Sequence, residues 1–206
     1  MILTWAVVAG LLAGLARAWA GKRLYQPTNL NSSWLLVSAV FIQAVAFLIP
    51  ATRRLLPDWT TAGLLVVSQG MLLAFVWNNR SKPGFWILGI GTAMNFLVIL
   101  ANGGLMPIDP QTAAYLFPGR PELTEQVGAH LPGTKDLLLP VASTRFWWLS
   151  DHFLSPPYLP SRFAFSPGDV LIALGVFRFL WVQGGPIQTG EEVTQQNILK
   201  LQERSH

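Results

Sequence analysis

Five apolar runs, at residues 2–19, 34–50, 59–77, 85–101 and 167–183, alternate with short polar connections and one long polar stretch, 102–166. Nineteen residues at a 1.5 Å rise, as in 59–77, make about 29 Å, close to the thickness of a bilayer's hydrocarbon core. The pattern predicts an all-α fold: a five-helix transmembrane bundle with a long, mostly irregular extracytoplasmic loop carrying short helices. Residues 1–183 read as one five-span membrane domain that includes the loop, and 184–206 as a cytoplasmic tail, with a short, weakly amphipathic helix or a frayed end over 191–204.

The first run ends in Ala18-Trp19-Ala20, which imitates a signal-peptide cleavage site, but Arg17 lies at the wrong end for a basic leader and the start has no positive charge. The run is expected to stay as a first helix. Gly10 and Gly14 form a GxxxG pair, read either as a close-approach face for a neighbouring helix or as ordinary small-residue usage. Trp34, Trp59, Trp77 and Trp86 stand near run ends, where indoles favour the membrane interface.

The long stretch carries the turn chemistry. Asp109-Pro110 announces a short helix over 110–117, and 121–128 is a second candidate. Residues 141–150, with Thr144, Arg145, Trp147 and Trp148, read as an amphipathic segment on the outer membrane surface. Ser166-Pro167-Gly168-Asp169 has Ser at the N-cap, Pro at the first helical position and Asp at the third, a capping arrangement that stabilises by about 1 kcal/mol.

Composition supports the membrane expectation. Only 12% of the 206 residues are charged and 51% are apolar, with a mean hydropathy of +0.42. A pI near 9.9 raises nucleic acid as a partner, but no basic run exceeds two residues, and the basic residues sit at run ends as topology signals do. One side collects Arg17, Lys22, Arg23, Arg80, Lys82, Lys200 and Arg204; the other has Arg53 and Arg54 plus four basic residues spread through 102–166. That count places the N-terminus outside, the long stretch outside and the C-terminus in the cytoplasm of a bacterial inner membrane. The absence of Cys excludes disulfides, thiol catalysis and Cys-ligated metals.

Gln43, Gln69, Asn95 and Arg178 fall inside the apolar runs. They read as interhelical hydrogen-bonding amides and an Arg that snorkels from about two turns inside its helix end, or else as a substrate path. His130, Asp151, His152 and Asp169 offer acid–base or ligand chemistry, yet no zinc, nucleophile-elbow or phosphate-loop motif accompanies them. Asp151 is expected to pair with Arg145 or to accept turn hydrogen bonds, and Asp169 to complete a cap. No cofactor and no metal are implied.

Three motifs, Asn102-Gly103-Gly104-Leu105-Met106-Pro107, then Thr144-Arg145-Phe146-Trp147-Trp148-Leu149-Ser150-Asp151, then Ser166-Pro167-Gly168-Asp169, together resemble an uncharacterised family of bacterial multi-pass membrane proteins, a domain of unknown function. Ser150 replaces the family's usual Gly and Phe146 its usual Leu. The resemblance implies that the loop is the shared feature and carries no activity across. The motif residues Asn102, Gly103, Gly104, Met106, Pro107, Thr144, Arg145, Asp151, Ser166, Gly168 and Asp169 are expected to form a polar clasp, with 102–107 meeting 166–169 and Arg145 pairing with Asp151 or Asp169. The functional expectation is an accessory or scaffolding subunit with the bilayer and another membrane protein as partners. Two alternatives remain: a membrane-surface enzyme using Asp151, His152 and His130, and a small transport or sensing component built on Asn95 and Arg178.

Overall fold

The computed structural model describes residues 1–49, 52, 55–120, 122–125, 127–131, 134–159 and 161–186. The expectations for the tail beyond 186, and the loop basics Arg53 and Arg54, lie outside the described residues. In chain order the elements are α1 (Ile2–Ala20), α2 (Ser33–Phe47), α3 (Asp58–Asn78) and α4 (Phe85–Ala101), then β1 (Met106–Ile108), α5 (Pro110–Leu116), α6 (Glu122–Glu125) and β2 (Asp136–Leu138). Two 3-10 turns follow, Val141–Ser143 and Trp147–Leu149, then β3 (Phe153–Leu154), β4 (Ala164–Phe165) and α7 (Pro167–Val182). The fold is mostly helical, and α1 and α3 are long and apolar enough to cross a membrane.

The last long helix lies in the middle. α7 packs along α1 on one side and α4 on the other, and α3 joins α4 to α2. Glycines set these contacts. A Cβ on Gly10 would press on the Phe177 backbone, and one on Gly14 would collide with the Leu180 carbonyl, so α1 runs parallel to α7. Across the other side, Gly84 meets Gly175 and Gly91 meets Gly168, an antiparallel seam with backbones in direct contact. The GxxxG pair is therefore a packing face, and its partner is α7. Elsewhere Gln43 donates from α2 to Ser68 Oγ of α3 at 3.0 Å.

The polar stretch is turns and loops over most of its length and carries short helices, as expected, but it also holds short strands that the expectation did not include. β1 pairs in parallel with β2, Met106 opposite Asp136, and β3 pairs antiparallel with β4. Its apolar positions explain the order: Ile108, Ala113, Leu131 and Leu138 bury one another in a core of their own. Leu105, Met106 and Leu149 enter a second core with Ala62, Leu65, Val98 and Ile99 of α3 and α4. The stretch is thus a folded cap docked on one end of the helices. Gly103 and Gly104 both have positive φ, and a Cβ on Gly104 would collide with Ala62, so glycine lets the chain turn directly from α4 into β1. α5 starts as expected, with Asp109 accepting from the Gln111 and Thr112 amides. α6 is shorter than 121–128, and 141–150 is two separate turns rather than one continuous segment.

Candidate functional site: the polar cluster under the cap

The capping motif of α7 reaches across to α4. Ser166 Oγ accepts from the Asp169 amide at 3.0 Å, and Asp169 Oδ2 accepts from the Ser166 amide at 3.0 Å, completing a capping box. Asn95 of α4 closes the ring: its Nδ2 donates to Asp169 Oδ1 at 2.8 Å and its Oδ1 accepts from Ser166 Oγ at 2.9 Å. Gly168 is required here because any side chain would run into Asn95 Oδ1. Every position of Ser-Pro-Gly-Asp thus has a physical task. Asn95, which the clasp expectation did not include, holds the helix start.

Beside this ring lies a buried charge cluster. Lys135 Nζ donates to Asp151 Oδ2 at 2.7 Å and stands 3.8 Å from Asp136 Oδ1. Asp151 is 5% exposed, Asp136 9%. Burial works against the Lys135 charge, but Asp151, Asp136 and Asp169 outweigh it and hold the ammonium above its ordinary value. Burial pushes Asp151 up to about 7 against the pull of Lys135, with Asp169 and Asp136 adding repulsion. Asp136 is raised by burial too, while Lys135 and a hydrogen bond from Thr134 draw it down. One cation therefore serves three carboxylates. Asp136 Oδ1 and Asp151 Oδ1 are buried without a hydrogen-bond partner. Lys135 keeps 37% of its side chain exposed, and it lines an apolar groove with Val40, Gln43, Ala44, Phe47 and Leu48.

The expected Arg145 ion pair does not form. Among the described residues the Arg145 guanidinium pairs with neither Asp151 nor Asp169; its side chain is exposed. The tie to Arg145 is through its backbone. Asn102, the residue that ends α4, accepts from the Arg145 amide with Oδ1 and donates to the Arg145 carbonyl with Nδ2, both at 2.9 Å. The same Nδ2 also donates back to Val98 O at 2.8 Å. Thr144 donates to Pro140 O at 3.0 Å.

The remaining candidates go to different places. His130 turns one ring nitrogen to Asp58 Oδ1 at 3.2 Å and the other to Thr134 O at 2.7 Å. His152 has Nδ1 2.9 Å from the Ser150 carbonyl, so Nδ1–H donates and Nε2 stays available. It lines a cleft of about 270 Å³ with Asp109, Gln111, Thr112, Thr144 and Trp147, from which Asp151 is absent. Among the described residues no hydrogen bond joins His130, Asp151 and His152 to one another. Asn95 and Arg178 are separated: Arg178 is nine residues beyond Asp169 on α7, about 14 Å along the axis. Arg178 is exposed, and only one turn from the end of α7 rather than two. Gln69 is half-buried in α3. Among the described residues no group of three or more His, Asp or Glu is arranged to hold a metal.

Lys135 and Asp136 were not among the expected residues. Their signal is a Lys-Asp pair directly before Leu137-Leu138-Leu139, charge set against an apolar run with no helical spacing to expose it. The class that emerges is a mostly helical protein with two membrane-length apolar helices and a small folded cap closed over a buried charge cluster. The chain belongs to DUF5317, a family of unknown function, whose match covers residues 27–181, from before α2 almost to the end of α7. It is 33% identical over 139 residues to an uncharacterised protein of Thermotoga maritima, covering 65% of this chain and 70% of that one. No solved structure matches the chain.

Proposed function

We propose that this is a five-span inner-membrane protein that acts as an accessory or scaffolding subunit, presenting its cap on the outer face. The observation that carries the membrane part is an inside-out distribution of apolar side chains. Leu12, Val37, Phe41, Val67, Ile90, Leu100 and Leu174, on all five long helices, are exposed, an apolar surface far beyond the few hundred Å² that a soluble monomer tolerates. The nine tryptophans agree. Trp19, Trp34, Trp77, Trp86 and Trp181 give one indole per long helix at the end away from the cap, where interface belts form. Arg17 lies over Trp181 and Arg80 over Trp77, within 5 Å of the ring centres. Together with Lys22, Arg23 and Lys82, these support a cytoplasmic far end.

The scaffolding part rests on the cap. It is a folded module docked through Leu105, Met106 and Leu149 on α3 and α4, and its outward surface is left for a neighbour. Affinity purification in mild detergent, with mass spectrometry of the eluate, tests this: a stoichiometric membrane-protein partner is expected, lost on replacing exposed cap residues such as Tyr158 or Arg162. Purification as a lone chain at native abundance would sink it. Topology is tested separately in this Cys-free chain. A Cys at Ser161 is expected to react with impermeant maleimide in intact cells, and one at Lys22 or Lys200 is not.

The cleft at His152 favours one second reading, a surface enzyme. Its available Nε2 beside Trp147 and Thr144 has the makings of a general base. Loss of a cellular phenotype in His152→Gln, with abundance and partner retention unchanged, would move the balance to it.

A further inference from the structure

We propose that the turn Phe146-Trp147-Trp148 is a membrane anchor: its aromatic side chains seat in the headgroup–acyl boundary of the outer leaflet, and the neighbouring Arg145 guanidinium reaches lipid phosphates. The inference rests on the five-span reading above.

The distribution of indoles points to it. At the far end every long helix carries its own Trp. At the cap end only α1, with Trp5, and α3, with Trp59, do so. α2, α4 and α7 have none there, and α4 and α7 are the helices against which the Trp147–Leu149 turn packs. The cap thus returns two indoles to the sector of the belt that the helices themselves leave empty, and does so at the right depth. Asn102 is the first residue past α4, and it fixes the Arg145 backbone through two hydrogen bonds. The turn therefore stands at the level where α4 leaves the hydrocarbon.

The turn is also held in an uncommon conformation that leaves its aromatic side chains exposed. Phe146 adopts φ 56, ψ 43, the left-handed region, which is uncommon for a bulky residue and costs about 1–3 kcal/mol. The Asn102 clamp on one side and buried Leu149 and Ser150 on the other enforce it. Ser150 Oγ donates to the Trp147 carbonyl. The result is three consecutive aromatic residues 42%, 46% and 54% exposed. In water that arrangement is unfavourable; at a bilayer boundary it gains from both the ring faces and the indole N–H. Arg145, exposed and unpaired with any carboxylate among the described residues, supplies the charge that complements phosphate.

Spin labels on single cysteines in lipid nanodiscs decide the matter, read as accessibility to oxygen, which partitions into lipid, against a water-soluble nickel chelate. Labels replacing Trp148 and Arg145 are expected at shallow depth, with oxygen access dominant at 148 and mixed access at 145. A label at Ser161 is expected to be nickel-accessible. Labels at Val37 and Val67, exposed on α2 and α3, report on the spans. If these two are deep in lipid but 148 and 145 are as nickel-accessible as Ser161, the anchor is wrong and the five-span reading survives. If 37 and 67 are nickel-accessible, the five-span reading falls and takes the anchor with it. If 148 is sheltered from both reagents, a protein covers the turn and the lipid proposal is overturned. Should Trp148→Cys fail to fold, the 145 label, on a side chain that already points outward, carries the test alone.

Discussion

Asn79 and Asn102 stand at opposite ends of the molecule and make the same set of bonds. Each follows the last residue of a helix, α3 or α4. Each donates from Nδ2 to the carbonyl four residues back, Phe75 or Val98, at 2.9 and 2.8 Å. Each then clamps the amide and carbonyl of one distant residue, Asn31 or Arg145. Both are buried. The ends differ in what surrounds the clamp. At the far end the other ties are neutral or exposed: Asn78 to Ser32, Tyr25 to the Leu180 carbonyl, Lys82 to the Asn29 carbonyl. At the cap end the ties include a charged one, Lys135 to Asp151 at 2.7 Å with Asp136 3.8 Å away. A neutral amide is enough to position a connection. Burying charge is costly unless the charges are paired, so the cap end depends on a balance that the far end does not have.

That contrast is most exposed by removing the single cation. Lys135→Met leaves Asp136, Asp151 and Asp169 facing one another; loss of one partner from a fully buried pair costs about 3–5 kcal/mol, and with the Lys135 side chain 37% exposed and Asp151 able to take a proton the loss is expected below that range. A clear drop in thermal midpoint in detergent is expected, with protease cleavage appearing within 102–166. An unchanged midpoint would mean that the cluster carries no stability and that the two ends are alike. Asp151→Asn should cost much less, since two carboxylates remain for Lys135.

Next come the clamps. Asn102→Ala and Asn79→Ala each strand a backbone amide and carbonyl, about 1–3 kcal/mol when buried. Similar losses are expected in the two variants, but only Asn102→Ala should free the Phe146–Trp148 turn, read as new cleavage or altered label mobility at 146–148. Equal mobility there in both variants would remove the special role of the cap-end clamp.

The pH response should be smaller and confined to the cap. Burial holds Asp151 near 7, against 3.8 as its ordinary value. Folding thus favours the protonated acid; that contribution is complete below the ordinary value and is lost as pH rises through about 7. Asp136 shifts in the same direction. Lys135, raised, contributes steadily below 10.5 and does not alter the slope in this window. Thermal stability is expected to be higher at pH 5 than at pH 8, with the difference reduced in Asp151→Asn. A midpoint that instead rises with pH would show the Lys135 pair to outweigh burial. The least effect belongs to Arg178→Leu: an exposed residue one turn from the far end is expected to stay within about 0.5 kcal/mol of the parent. A larger loss would give the far end a charge dependence of its own.

Hydrophobic runs determined where the long helices lie, because an apolar stretch bounded by turn residues has few other ways to satisfy its backbone. The α7 cap was equally readable, since Ser, Pro and Asp act on amides within four residues of themselves. So was the start of α5 at Asp109-Pro110. The cap's strands were not, because β1 and β2 are three residues each and pair across 27 intervening residues, leaving no local period to detect. The partners of the motif residues were also invisible: Arg145 looked like the cation for Asp151, but Lys135 holds it. Spacing names the charges present. Only the packing of α7 between α1 and α4, which brings Asn95 onto Ser166 and sets the cap over Asp169, decides which charge meets which, because desolvation and distance are properties of the folded chain.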